Sequence, residues 1–317
     1  MLTSTQIGII YALGACMAWG LVFAIPQLLT ELKPFEVAIS RYFFFGLASA
    51  VTLIFRKKHL FKNFSLYLWA QAFLLAFVSN IVHYTALVYG LRETSPAFTT
   101  LILSLNPIFI TLYGGWLGER QKYKIQKMPL AAIAAGLLLV SLPLMELEFS
   151  TKYITMSYLF GLIYALVALG TWTWYIVSNS RILTKNCQIE SSDWVTAIGV
   201  STLLLVLVLG TLYIYNSAVV IRTDELSTAF YQVLFGGLVL GLISSWIATY
   251  LWNHAVKRLP ITFAGQLTLF ETVFALIYVF IINQRLPEFS EIFGILLMLG
   301  GVFFSYRAIR DLSFVST

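Results

Sequence analysis

The sequence predicts an all-α integral membrane protein whose ten transmembrane helices form two five-helix repeats of opposite insertion. Three observations carry that expectation. The chain is too apolar for a soluble protein, it divides into ten runs of membrane-crossing length, and its second half resembles its first. Of the 317 residues, 59% are hydrophobic and 11% charged, against about 45–50% and about 25% in soluble domains. A soluble fold of this size needs far more polar side chains to cover its surface. Water-soluble enzymes, nucleic-acid binders and disordered chains are therefore excluded as readings. Two cysteines are too few for a disulfide scaffold. Cys16 falls inside the first run and Cys187 in a predicted cytoplasmic loop, so they read as an apolar filler and a reduced thiol.

The apolar runs cover about 7–29, 35–55, 69–90, 97–117, 129–144, 157–179, 194–215, 230–255, 262–282 and 289–306. A helix rising about 1.5 Å per residue needs about 17–25 residues to cross about 30 Å of hydrocarbon. Helices also satisfy their own backbone polar groups in lipid, whereas transmembrane strands would be about half as long and alternate in polarity. The fifth run is short and the eighth long, and the loops leave no room for a soluble domain. The first run has no basic segment before it and carries Trp19, Pro26 and Gln27 where a cleavage site would need small residues, so it is expected to be retained. Fourteen of the twenty Lys and Arg fall in alternate loops, near 56–62, 120–127, 181–185, 257–258 and 307–310. Five fall in the opposite loops and Arg41 inside a run. The richer side is cytoplasmic by the positive-inside rule, which puts both termini there. The net charge of +6 is thus a topology signal and an attraction to lipid headgroups, with no nucleic-acid partner implied.

The repeat is visible residue by residue. Gly8 to Trp19 and Gly161 to Trp172 are identical at seven of twelve positions, including the Gly, a Tyr and the Trp. A second register, offset by 165, aligns Phe98 with Phe263, Asn106 with Glu271, Phe109 with Phe274, Tyr113 with Tyr278, and Gly136 with Gly301. The boundaries are 1–150 and 151–317. Five crossings per unit is an odd number, so the second unit enters from the opposite face. That plan recurs in secondary transporters, where two units meet at a midplane site and exchange conformations. Duplication that merely builds a stable bundle is the alternative.

Several motifs resemble the ten-helix EamA-type branch of the drug/metabolite transporter superfamily. They are Ala18-Trp19-Gly20, Arg41, Tyr84-Thr85-Ala86-Leu87, and Asn106-Pro107-Ile108-Phe109 leading to Leu117-Gly118-Glu119-Arg120. In the second half they are Tyr250-Leu251-Trp252, Ala255 to Leu259, and Glu271-Thr272-Val273-Phe274-Ala275. The family often has Pro where Thr272 stands and Glu where Gln284 stands. The resemblance implies a bacterial inner-membrane carrier of small metabolites, often amino acids or related compounds, and often an exporter. Importers of metabolites and of quaternary amines belong to the same family.

Individual residues suggest the chemistry. Glu271 lies near the middle of the ninth run, where an ionised acid costs about 2.5–3.5 kcal/mol. It should face the bundle interior and bind a proton or a substrate amine, with Thr268, Ala275 and Tyr278 on its face. A neutral, hydrogen-bonded packing acid is the alternative. Asn106 is its repeat partner, read as a substrate-facing amide or an interhelical hydrogen bond, and Pro107 beside it bends the helix. Arg41 lies about 9 Å below the outer end of its run; it can snorkel, hold a substrate carboxylate, or pair with Glu271. Asn80, His83 and Tyr84 share a helical face, and His83 titrates near neutrality. Asn253 and His254 are expected at an interface. Trp19 and Trp172 sit deep in their runs, near Tyr11, Tyr164 and Tyr175. They form either an aromatic box or aromatic packing. Trp69, Trp116 and Trp194 read as interfacial anchors. The candidate substrate residues are therefore Glu271, Asn106, Trp19, Trp172, Tyr84, Asn80 and Tyr278. The coupling or gating candidates are Glu271, Arg41, His83 and Pro107.

No metal-ligand cluster, phosphate-binding Gly-rich loop or catalytic triad context is present, so no cofactor, ATP hydrolysis or enzymatic activity is expected. The leading expectation is a carrier of small polar metabolites, chiefly amino acids or derivatives. It would act by alternating access, couple to protons through Glu271, and assemble as a monomer or homodimer. Its rivals are an uptake carrier for a quaternary amine such as choline, an integral-membrane enzyme, and a non-transporting bundle.

Overall fold

The structure, a computed structural model, describes residues 3–29, 31–94, 96–117, 127–151, 156–216, 226–282, 284 and 286–315. Helical rods account for nearly all of them, and no strand occurs among the described residues. The rods are α1 (Ser4–Ala24), α2 (Pro34–Asn63), and α3, which joins Leu66–Ala76, a π-helical stretch Phe77–Val82, and His83–Glu93. Next come α4, in two pieces Pro96–Leu103 and Asn106–Trp116, then α5 (Lys127–Thr151), α6 (Met156–Lys185) and α7 (Ser191–Asn216). The last are α8, joining Leu226–Leu238, a π-helical stretch Val239–Ile247, and Ala248–Val256; α9, in two pieces Ile261–Leu267 and Leu269–Ile282; and α10 (Phe289–Val315). Eight rods are long and apolar enough to cross a membrane. In α4 and α5 the apolar stretches are shorter, Leu101–Trp116 and Lys127–Ser141. Of the residues used for orientation, Arg120, Lys122, Lys124, Lys152, Arg222 and Arg285 lie outside the described residues.

Local chemistry sets the ends of the rods. Thr3 caps α1, accepting from the Gln6 amide at 3.2 Å while the Gln6 side chain accepts from the Thr3 amide, a capping box. Pro34 opens α2 where its missing N–H costs nothing, and the Glu36 carboxylate accepts from the Lys33 amide at 2.8 Å. Ser65 caps α3. Pro26 ends α1 in a 3₁₀ turn, Ile25–Leu28. Pro107 behaves differently from the mid-helix bend that the sequence predicts. The rod is already broken at Ser104–Leu105, and Pro107 lies in the first turn of the new piece. Its carbonyl accepts from Thr111 Oγ1 at 2.7 Å.

The contacts between rods follow a pattern. α2 packs on α7, α4 on α9, and α5 on α10. α1 packs on α8 and α9, while α6 packs on α3 and α4. Each of these contacts has a counterpart five rods along the chain. The irregularities pair in the same way: π-helical turns interrupt α3 and α8, and breaks interrupt α4 and α9. Close approach explains the glycines at the tightest crossings. A Cβ on Gly199 of α7 would stand 1.9 Å from Ser49 Oγ on α2. On Gly241 of α8 it would stand 2.6 Å from the Arg41 carbonyl oxygen and 2.9 Å from the Phe45 amide of α2. The latter neighbours are backbone and cannot rotate aside. Gly241→Ala therefore forces α8 off α2; a cost of about 1–3 kcal/mol, read as a lower melting temperature of the detergent-purified protein, is expected.

Candidate functional site

A cavity of about 280 Å³ lies between α2, α3 and α7. Its lining runs from Lys33, at the start of α2, to Tyr42 further along that helix, with Asn80 and Tyr84 from α3. Asn80 is near the middle of its span. Phe35, Tyr89 and Tyr213 complete an aromatic wall. Asn80 Nδ2 donates to Thr202 Oγ1 of α7 at 2.7 Å, and Ser79 Oγ donates to Asn80 Oδ1.

Behind Tyr42 and Tyr84 is Arg41, only 7% exposed. Its guanidinium carbon is 5.1 Å from the centre of the Tyr42 ring and 5.4 Å from that of Tyr84. Nε donates to Ser245 Oγ at 2.9 Å and Nη2 to the Ser244 carbonyl at 3.4 Å. Both acceptors come from the π-helical stretch of α8, where an extra residue per turn turns side chains and carbonyls to new directions. Arg41 therefore neither snorkels nor pairs with Glu271: no carboxylate lies within ion-pair distance among the described residues.

An aromatic cluster adjoins the cavity. Trp19 meets Trp172 edge-on at 5.7 Å and Trp252 at 5.3 Å. Trp172 also packs on Tyr175 at 5.2 Å and stacks on His83 at 4.9 Å. The rings contact one another, so this is packing and not an open box. Tyr11 and Tyr164 lie elsewhere, stacked on His254 and Tyr89. His83 Nδ1 is 2.9 Å from the Ala168 carbonyl oxygen; a carbonyl only accepts, so that nitrogen carries the proton. Asn80, His83 and Tyr84, expected on one helical face, reach three different rods: α7, α6 and α2 respectively. Asn80 and Tyr84 nonetheless line the same cavity.

Glu271 stands apart from the cavity lining, half-buried on α9 where that rod packs on α1. Its carboxyl has no hydrogen-bond or ion-pair partner among the described residues. Thr268, expected on its helical face, lies at the break in α9 and turns its hydroxyl to the Gly265 carbonyl. Tyr278 donates to the Met17 carbonyl at 3.0 Å, a link between α9 and α1. Asn106 accepts from Thr173 Oγ1 of α6 at 3.2 Å. Of the seven substrate candidates, the structure brings Asn80 and Tyr84 to the cavity, Trp19 and Trp172 to the cluster beside it, and leaves Glu271, Asn106 and Tyr278 outside its lining.

The other end of the bundle is tied together by residues that the sequence reading did not single out as a site. Twenty-three residues beyond Lys33, or about 35 Å along the helix, Arg56 pairs with Asp193 and Glu190. Asn179 Nδ2 donates to Asn253 Oδ1 at 2.9 Å, and Trp194 Nε1 donates to Asn179 Oδ1 at 2.7 Å. Lys257 donates to the Ile189 carbonyl, and burial pushes its ammonium below the ordinary lysine range. These contacts join α2, α6, α7 and α8. Trp194 and Asn253 are fully buried, which corrects their reading as interfacial residues; proximity to a span end did not show which way they face.

The profile of the EamA-like transporter family matches residues 6–142 and again 159–307. The chain belongs to this family. It is thus a multi-pass membrane protein of the drug/metabolite transporter superfamily, as its motifs suggested. It is 28% identical over 310 residues to the inner membrane protein YtfF of Escherichia coli strain K12, covering 95% of each chain. It is 24% identical over 277 residues to an uncharacterized transporter of Archaeoglobus fulgidus, covering 87% of this chain and 88% of that protein. A crystal structure superposes at a TM-score of 0.72 with 16% identity, over 97% of this chain and 98% of that one, which shows a shared fold.

The Arg56 end of this EamA-family chain can be tested directly. Asp193 is buried while Arg56 is about one-third exposed, so Asp193→Asn should lower stability by about 1–3 kcal/mol. A thermal-melt double-mutant cycle with Arg56→Gln should show that the paired variant loses less than the two single losses added together.

Proposed function

We propose that this chain is a secondary carrier of the inner membrane that moves small polar metabolites, amino acids or their derivatives, by alternating access. One observation carries the reading: a cavity runs between Lys33, at the start of α2, and Asn80 near mid-span, while polar contacts tie α2, α6, α7 and α8 together at the Arg56 end, which we read as an open and a closed end. That is one of the two states such a cycle needs. On the Lys/Arg asymmetry the closed end is cytoplasmic. A cavity of about 280 Å³ suits a small metabolite, near the lower limit of ligand sites. Two oppositely inserted units, 1–150 and 151–317, account for the contacts and irregularities that recur five rods apart. Export is the direction that the family resemblance favours.

In this scheme Arg41, Asn80 and the tyrosines hold the substrate, and Glu271 carries the coupling proton. An acid with no protein partner, on the rod that faces α1, can exchange protons without first breaking a hydrogen bond. Asn106 and Pro107 form the joint at which α4 changes direction, and Tyr278 ties α9 to α1. The uptake of a quaternary amine fits less well. The tryptophans that would form its box are packed against one another, and the nearest buried charge is a guanidinium, which repels a cation.

Reconstituted proteoliposomes test the proposal. Saturable flux of at least one radiolabelled amino acid or derivative is expected, with uptake driven by an imposed pH gradient. Glu271→Gln should abolish the gradient dependence while substrate exchange continues. Folded protein that moves none of the candidates counts against the carrier, and an unchanged gradient response in the variant removes Glu271 from coupling.

A further inference from the structure

Arg41 is a full positive charge inside a membrane-spanning rod, 7% exposed, and its guanidinium donates to a serine hydroxyl and a backbone carbonyl. These solvate the charge without neutralising it. A guanidinium has five N–H donors, and those two bonds use two. An unpaired ion away from water is costly, so a buried cation normally comes with an anion. Here the described residues supply none within ion-pair distance. The nearby Glu36 carboxylate faces the Lys33 amide and the Tyr213 hydroxyl.

The guanidinium is not itself part of the cavity lining but lies directly behind it. Tyr42 and Tyr84, whose rings lie 5.1 and 5.4 Å from it, both line the cavity. That lining contains no acid; its one charged member is Lys33, at the start of α2. The Ser244 hydroxyl, on the residue whose carbonyl holds Arg41, has no hydrogen-bond partner among the described residues. Positive charge at one end, positive charge behind the floor and tyrosines between them describe one kind of guest.

We propose that the cavity between α2, α3 and α7 binds a small organic carboxylate, its acid group drawn to Arg41 and a flat or apolar body lying against the tyrosine wall. This rests on the cavity being the carrier's substrate site. It sharpens that reading, because the lining offers no anionic side chain to pair with an amine.

Nitrobenzenes that quench tryptophan fluorescence and differ only in charge test the assignment on nanodisc-reconstituted protein. The probes are 4-nitrobenzoate, neutral 4-nitrobenzamide and cationic 4-nitrobenzylamine, with unsubstituted benzoate as a non-quenching competitor. Saturable quenching by 4-nitrobenzoate, displaced by benzoate and about tenfold or more tighter than for the amide, is expected from attraction to a buried cation close behind the cavity floor. Arg41→Gln should lose that preference, and Arg41→Lys should keep much of it. Tighter binding of the amine, unsaturable quenching by all three probes, failure of benzoate to compete, or an unchanged Arg41→Gln variant would each overturn the inference. If Arg41→Gln does not purify as a monodisperse protein, the charge series on the unaltered chain decides alone. Because the assay reads binding, saturable carboxylate binding without flux would remove the carrier reading and leave this site standing. Flux without carboxylate binding would do the reverse.

Discussion

A guanidinium held inside the hydrocarbon layer is the constraint around which this bundle is arranged. Arg41 can be accommodated only if a neighbouring rod presents oxygens to it, and a regular α-helix spends its carbonyls on its own amides. The π-helical stretch of α8 resolves this by freeing local geometry beside Ser244 and Ser245. Gly241, in the same stretch, lets the backbone of α8 come close enough for those oxygens to reach. The two tyrosines that sandwich the charge then become the floor of the cavity. Charge, irregular helix, glycine contact and cavity are consequences of one another.

The same reasoning extends to the other interruptions. Breaks in α4 and α9 and π-helical turns in α3 and α8 occur where polar side chains enter the interior: Asn106, Thr268, Asn80, His83 and Ser245 lie at or within a few residues of them. Irregular backbone at membrane depth survives only where protein or a cavity surrounds it. Its recurrence at equivalent places five rods apart is what two related units would produce from one ancestral design.

Much of the fold was legible because lipid imposes a length and a composition on each rod, and the apolar runs match the helices closely. Trp19 and Trp172, matched as equivalents across the two halves, do meet. The site was legible only in part. Arg41, Asn80 and Tyr84 stood out because polar residues inside apolar runs are expensive. Asn80 and Tyr84, placed on one helical face, both line the cavity, while His83 reaches α6. Trp194 and Asn253 were misplaced because distance from a span end does not tell whether a side chain faces lipid or a neighbouring rod. Asn179 and Asp193 had no local pattern, since their partners Asn253 and Arg56 are 74 and 137 residues away. The reading of Arg41 paired with Glu271 failed for a related reason: two isolated charges in one sequence invite pairing, whereas the fold gives Arg41 serine oxygens.

The seal at the Arg56 end is graded in its physics. Its rim is a charge pair that meets solvent on the Glu190 side, where dissolved ions screen attraction. Its interior is a chain of neutral amides and an indole, Trp194 to Asn179 to Asn253, lying where ions do not reach. Opening this end is therefore a wetting process in two stages, in which ionic strength weakens the outer latch and only incoming water can replace the inner hydrogen bonds. In the proposed cycle the barrier between the two faces of the membrane is then a matter of dehydration as well as of helix movement, and it would hold back small ions even while the latch is loose.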